Sequence, residues 1–259
     1  MNKVSAINKK SPIYFITGLA ILFFVYHIPE LYDSFLLMAI CKIGILPIAY
    51  LIAKWQGWKG LGGFGLAFQK GTFINLFSGL ILAFCYYLIN EGISVAMGWE
   101  KISQWPSFST ILQVLPHLII MTVFPSIAED ILTRGYLFAH LQTKLSSAVL
   151  IFVSAAFFVL NHIWRLNDGP DVLTYLFLMG LLLAWSVNRT KSLWMAFGIH
   201  WGFNMGFEFV NNLLKPIQIG THPSSNWIYS VILLLLFLFP TVFFPIFKKQ
   251  EWPENPSFK

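Results

Sequence analysis

FSTILQVLPHLIIMTVFPSIAEDILTRGYLF, residues 108–138, decides how this chain folds. From Phe108 to Ala128 it contains no Asp, Glu, Lys or Arg. Glu129, Asp130 and Arg134 then fall together, and apolar residues resume at Tyr136, Leu137 and Phe138. A helix needs about 20 apolar residues to cross a hydrocarbon core of about 30 Å, and this stretch supplies them. Pro116 and Pro125 are tolerated in such a helix when its neighbours satisfy the freed carbonyls.

The rest of the chain has the same character. Of 259 residues, 57% are hydrophobic and 11% charged, with 26 Phe and 10 Trp, and mean hydropathy is +0.68. A soluble domain carries roughly 25% charged residues, so a soluble globule is excluded, as are a disordered chain and a disulfide scaffold. Cys41 and Cys85 lie in apolar runs without metal-ligand spacing. The reading is an all-α polytopic membrane protein with about eight spans. They fall near residues 13–28, 34–53, 72–97, 108–138, 147–163, 172–187, 192–214 and 227–247, and no linker divides them. A single transmembrane domain is therefore expected over 1–259. YHIPEL at Tyr26–Leu31 offers no signal-peptidase site, so the first helix is read as retained.

Lys and Arg set the orientation, because basic loops stay on the cytoplasmic side. With the N-terminus inside, the inner segments hold Lys3, Lys9, Lys10, Lys54, Lys59, Lys70, Arg134, Lys144, Arg189, Lys191, Lys248, Lys249 and Lys259. The outer ones hold Lys101, Arg165 and Lys215. Both termini are thus expected in the cytoplasm, and the +6 charge reflects topology rather than nucleic-acid binding. Short loops and compact length suggest a bacterial cell membrane. Gly60, Gly62 and Gly65 satisfy G-x-G-x-x-G, but no strand precedes them and no acid follows at the required distance. Residues 55–71 read instead as a glycine-rich inner loop resting on the bilayer interface.

Ionisable groups within spans are costly and mark functional sites. Asp130 and Arg134, four apart on one helix face, form an expected ion pair. That leaves Glu129 without a fixed cation, available as a general base. Phe158-x-x-x-His162 and His200-x-x-x-Asn204 add two imidazoles and a carboxamide. If the fourth and fifth helices turn near Leu145, Glu129 and His162 both lie about 24–26 Å from the turn and face each other. His200 and Asn204, about 15 and 21 Å above a turn near Thr190, join them only if the loops differ in depth. A carboxylate, two imidazoles and a carboxamide meeting in a bilayer suit water activation and amide hydrolysis. Glu208 continues the His200 face as a candidate contact for substrate or for Lys42. Glu91 has no clear role, and His27, His117, His140 and His222 match no motif.

Glu129-Asp130-x-x-x-Arg134-Gly135-Tyr136-Leu137, Phe158-x-x-x-His162 and His200-x-x-x-Asn204 together resemble the type II CAAX prenyl endopeptidase family, which also includes bacteriocin-processing and bacteriocin-immunity proteins. The resemblance covers roughly residues 108–205. It implies an eight-helix intramembrane protease in which Glu129 and His162 activate water while His200 and Asn204 form the oxyanion site. Asp130 stands where the commonest family form has a second glutamate, and Gly180 falls in a stretch like the family's sixth helix. A metal-free mechanism is the first choice. Zinc on Glu129, His162 and His200, with water as fourth ligand, is the alternative. The implied partners are membrane lipid and a peptide or prenylated peptide presented at the cytoplasmic leaflet, not nucleic acid. Two competing functions are a non-enzymatic immunity or partner-binding protein on the same scaffold, and a transporter. The latter is disfavoured because no paired broken helices in matching halves are visible.

Overall fold

The computed structural model describes residues 12–32 and 34–253. Lys3, Lys9, Lys10 and Lys259, counted above among the inner charges, lie outside the described residues. The helices are α1 (Pro12–His27), α2 (Phe35–Trp55), α3 (Thr72–Ala96), α4 (Phe108–Asp130) and α5 (Tyr136–Leu141), followed by α6 (Ser147–Asn161), α7 (Pro170–Thr190), α8 (Trp194–Phe209), α9 (Asn226–Leu238) and α10 (Pro240–Phe243). A short antiparallel pair, β1 (Glu100–Ile102) and β2 (Pro216–Gln218), joins two loops at one end of the bundle.

The chain is thus an all-α polytopic membrane protein. Among the described residues, five helical stretches are long and apolar enough to cross a membrane: Pro12–Leu31, Phe35–Trp55, Thr72–Ala96, Phe108–Leu141 and Pro170–Thr190. α6 and α9 are apolar but shorter. The stretch expected to be helical over 227–247 ends at Leu238, because Pro240 and Pro245 have no N–H to continue it. Helix starts follow local chemistry. Ser34, Ser107 and Ser146 accept from the backbone N–H of Leu37, Thr110 and Val149, which satisfies donors that the first helical turn leaves free. Large apolar side chains such as Phe24, Phe35, Phe73 and Val231 point outward, as lipid contact requires.

α3 and α8 pack backbone to backbone. Gly198 and Gly202 sit against the carbonyls of Leu76 and Leu80, Gly206 against Tyr87, and Gly79 of α3 against Met195 and Ile199. Small residues four apart allow this close approach in a membrane bundle. Gly180 does the same for α7, resting on the Ala155 backbone of α6.

The glycine-rich loop is bound to the helices by hydrogen bonds. It packs against one end of the bundle, with Trp58, Phe64 and Leu66 buried. Gly65, at φ 86°, turns its carbonyl to accept from the Leu193 N–H at 2.9 Å and the Ser192 hydroxyl at 3.3 Å. The C-terminal segment crosses the same end. Asn75 exchanges two hydrogen bonds with the Lys248 backbone, and the Gln250 N–H donates to the Thr190 carbonyl at 2.7 Å. Thr190, Ser192 and Leu193 are therefore buried rather than at a surface turn.

Candidate active site

Glu129 and Asp130 are the last residues of α4. A π-helical turn, Ile131–Gly135, separates them from α5 and is wholly buried; such turns recur at functional sites. Within it the Thr133 hydroxyl donates to the Glu129 carbonyl at 2.7 Å, and the Arg134 guanidinium donates to the Thr133 hydroxyl at 2.9 Å. The expected ion pair is present: Arg134 Nη1 donates to Asp130 Oδ1, with both side chains fully buried. Gly135 lets the Phe64 carbonyl press on the turn from below.

Asp130 reaches further than the pair alone. His200 Nδ1 donates to its Oδ1 at 3.3 Å, which turns the other imidazole nitrogen, Nε2, toward Glu129 Oε2 at 3.6 Å. The shorter aspartate thus bridges Arg134 and His200. His162 approaches from the other side, with Nδ1 3.6 Å from Glu129 Oε1 and donating to the Phe158 carbonyl at 2.8 Å. Glu129 lies between two imidazoles. The Phe158 ring fills the space behind them, edge-on to His162 at 4.7 Å and to His200 at 5.8 Å, while Arg134 stacks 4.4 Å from its centroid. The spacing Phe158-x-x-x-His162 therefore gives one aromatic ring three site contacts.

The loop depths differ as the His200 alignment requires. The turn before α8 is buried on the Gly65 carbonyl, so α8 starts deeper and His200 arrives level with Glu129. Asn204, one turn further, donates through Nδ2 to the Ser126 hydroxyl at 2.9 Å. Its amide thus has one hydrogen engaged and one to offer. His162, His200, Asn204 and Phe158 line a cavity of about 420 Å³ that continues past Tyr87, Tyr175, Phe203 and Tyr229 to Arg165, Glu208 and Asn226.

Glu129, expected to lack a fixed cation, accepts from a neutral group that the sequence reading did not include: Asn161 Nδ2 donates to its Oε1 at 2.9 Å. Lys42 does not meet Glu208, but donates to Glu30 Oε1 at 3.2 Å and the Tyr26 carbonyl at 3.0 Å, while Glu208 accepts from Asn212 at 2.5 Å. His27, given no role from sequence, sits 3.0 Å from Asn161 Oδ1 and 2.7 Å from Glu30 Oε2. Asn161 escaped the sequence reading because adjacent helical residues do not share a face. Here α6 ends at Asn161 and His162 leaves the helix at φ −95°, ψ 48°, so both side chains turn to Glu129. Arg134, counted with the inner loop charges, is fully buried and leaves that count. Among the described residues, no three His, Cys, Asp or Glu side chains close on a single point as metal ligands.

Fold and site define a membrane-embedded helical bundle with a buried carboxylate held between two imidazoles beside an internal cavity. Residues 111–206, which contain Glu129, Asp130, Arg134, Asn161, His162, His200 and Asn204, match the family model of Rce1-like type II CAAX prenyl endopeptidases. The matched segment is less than half of the chain. Nothing among curated proteins or solved structures matches the chain.

Proposed function

We propose that this protein is a glutamate-dependent intramembrane endopeptidase. The observation that carries the reading is Glu129, buried between His162 and His200 at 3.6 Å from each, the two histidines lining a cavity large enough for a peptide side chain. In this reading Glu129 takes a proton from a water held against His162. The water oxygen forms a bond to the substrate carbonyl carbon, and the carbonyl electrons move to oxygen. His200 and the unengaged hydrogen of Asn204 donate to that oxyanion, a contribution of about 3–4 kcal/mol per donor in other hydrolases. Glu129 then returns its proton to the leaving nitrogen as the C–N bond breaks. Asp130 and Arg134 act one step back by fixing His200.

The chain crosses the membrane eight times in this reading, with α6, α8 and α9 completing the set and both termini in the cytoplasm. The cavity runs toward the α6–α7 and α8–α9 connections, away from the loops that hold Lys54, Lys59, Lys144 and Arg189. In this reading a substrate enters from the side poor in basic residues rather than from the cytoplasmic leaflet. The aromatic lining suits an apolar or prenylated segment.

The test uses the full chain in liposomes and a quenched-fluorescence peptide ending in farnesyl-cysteine and three further residues. Glu129→Gln and His162→Ala each reduce kcat by at least about 100-fold, the usual scale for a general acid or base, at normal protein levels. A chelator leaves activity intact. Activity lost to chelation and restored by zinc replaces this mechanism with a metal-dependent one, and cellular function retained in both variants favours a non-enzymatic binding protein.

A further inference from the structure

A chain of hydrogen bonds leads away from Glu129 to residues outside the segment that matches the family model. Asn161 Nδ2 donates to Glu129 Oε1 at 2.9 Å, and the Asn161 side-chain oxygen Oδ1 faces His27 Nε2 at 3.0 Å. His27 Nδ1 lies 2.7 Å from Glu30 Oε2. Glu30 is itself pinned: Trp164 Nε1 donates to Oε2 at 2.9 Å and Lys42 to Oε1 at 3.2 Å. One carboxylate thus ties α1, α2 and the turn after His162 together.

Donor counting fixes the order of this chain. A carboxylate only accepts, so Glu129 requires the NH₂ end of the Asn161 amide, which leaves the amide oxygen for His27. His27 then faces an acceptor on each side, and both contacts are bonds only when both ring nitrogens carry hydrogen. A ring protonated on Nδ1 alone would set Nε2 against the amide oxygen. Relief by rotating the amide would turn its oxygen toward Glu129. The orientation of Asn161, and with it the donor on Glu129, therefore depends on an N–H at His27 Nε2. The other titratable groups around the ring are Tyr26 beside it, whose ring carries Lys42 at 3.1 Å from the centroid, and Glu129 beyond Asn161. Phe23 packs on the ring at 4.2 Å.

We propose that His27 and Glu30 are positioning residues: Glu30 accepts from His27 Nδ1 and so fixes the ring, whose Nε2–H holds Asn161 in the orientation that donates to Glu129 Oε1. This rests on the protease reading for its effect on rate, but not for its geometry. The experiment pairs kinetics on the farnesylated quenched peptide with ¹⁵N NMR of histidine-labelled full-length protein in detergent.

His27→Leu and Glu30→Gln are expected to lower kcat about 10- to 100-fold with KM within about twofold, on the scale of lost outer hydrogen-bond partners elsewhere. His27→Gln, which keeps an N–H at the position of Nε2, recovers kcat to within about threefold of wild type. The His27 ring carries hydrogen on Nε2 in the wild type. Where His27→Leu fails to fold, Glu30→Gln carries the kinetic test. Glu129→Gln inactive with full kcat in folded His27→Leu or Glu30→Gln overturns the proposal while leaving the protease reading standing. Wild type and Glu129→Gln equally inactive on the peptide removes the protease reading, and the NMR then decides alone: wild-type His27 without hydrogen on Nε2 overturns the proposal.

Discussion

Asp130 shows how one side chain couples the charge balance of the core to the chemistry. Its Oδ1 accepts from both Arg134 and His200, so it neutralises a guanidinium that is fully buried and also orients an imidazole. Removing one partner of a buried pair leaves an uncompensated charge, at a cost of about 3–5 kcal/mol. Asp130→Asn is accordingly expected to lower thermal stability in detergent steeply and to abolish activity. Glu129→Gln keeps the fold, because a carboxamide still accepts from Asn161. Circular dichroism melts of the two variants side by side check this, and an Asp130→Asn protein as stable as wild type would show that Arg134 finds another counterion. The motif residues were legible in the sequence, because charge and imidazole stand out among apolar neighbours. Asn161 was not, since only the end of α6 turns it onto the His162 side.

At the scale of helices, the site is only as well placed as α8, and α8 is placed by glycine. Gly198, Gly202 and Gly206 recur every fourth residue and let α3 approach to backbone contact, while His200 and Asn204 project from the same helix toward α4. A methyl group at 202 would strike the Leu80 carbonyl, and overpacking of this kind costs about 1–3 kcal/mol. Gly202→Val is therefore expected to destabilise the bundle and to lower activity by shifting His200. Gly44→Ala on α2, where an added carbon meets nothing within 4 Å, should be neutral or stabilising by up to about 1 kcal/mol. Melting temperatures and kcat of the two variants separate close approach from helix propensity. Equal melting temperatures would rule out the close-packing account of α8.

At the scale of the molecule, the two ends of the bundle differ in kind. One is closed by the loop of Trp58 and Phe64 and by the C-terminal segment bound to Asn75 and Thr190. The other holds the β1–β2 pair and the outer reach of the cavity. With Cys41 and Cys85 replaced by serine, Thr221→Cys is expected to react with a membrane-impermeant maleimide in intact cells, and Lys144→Cys only after permeabilisation. The opposite labelling would turn the molecule over and place the cavity on the cytoplasmic side.

The sequence by itself determined that the chain is a helical membrane protein and which polar side chains stand out within its spans, because hydrophobic run length and the cost of burying charge are local properties of residues. It also aligned Glu129 with His162, since a short turn between two helices of fixed rise leaves little freedom. Only the tertiary structure decided the depth of α8, the burial of the glycine-rich loop and the contact of Asn161, His27 and Glu30. Each of these depends on segments far apart in the chain meeting in space, and no spacing along the chain encodes which carbonyl or amide a distant loop will satisfy.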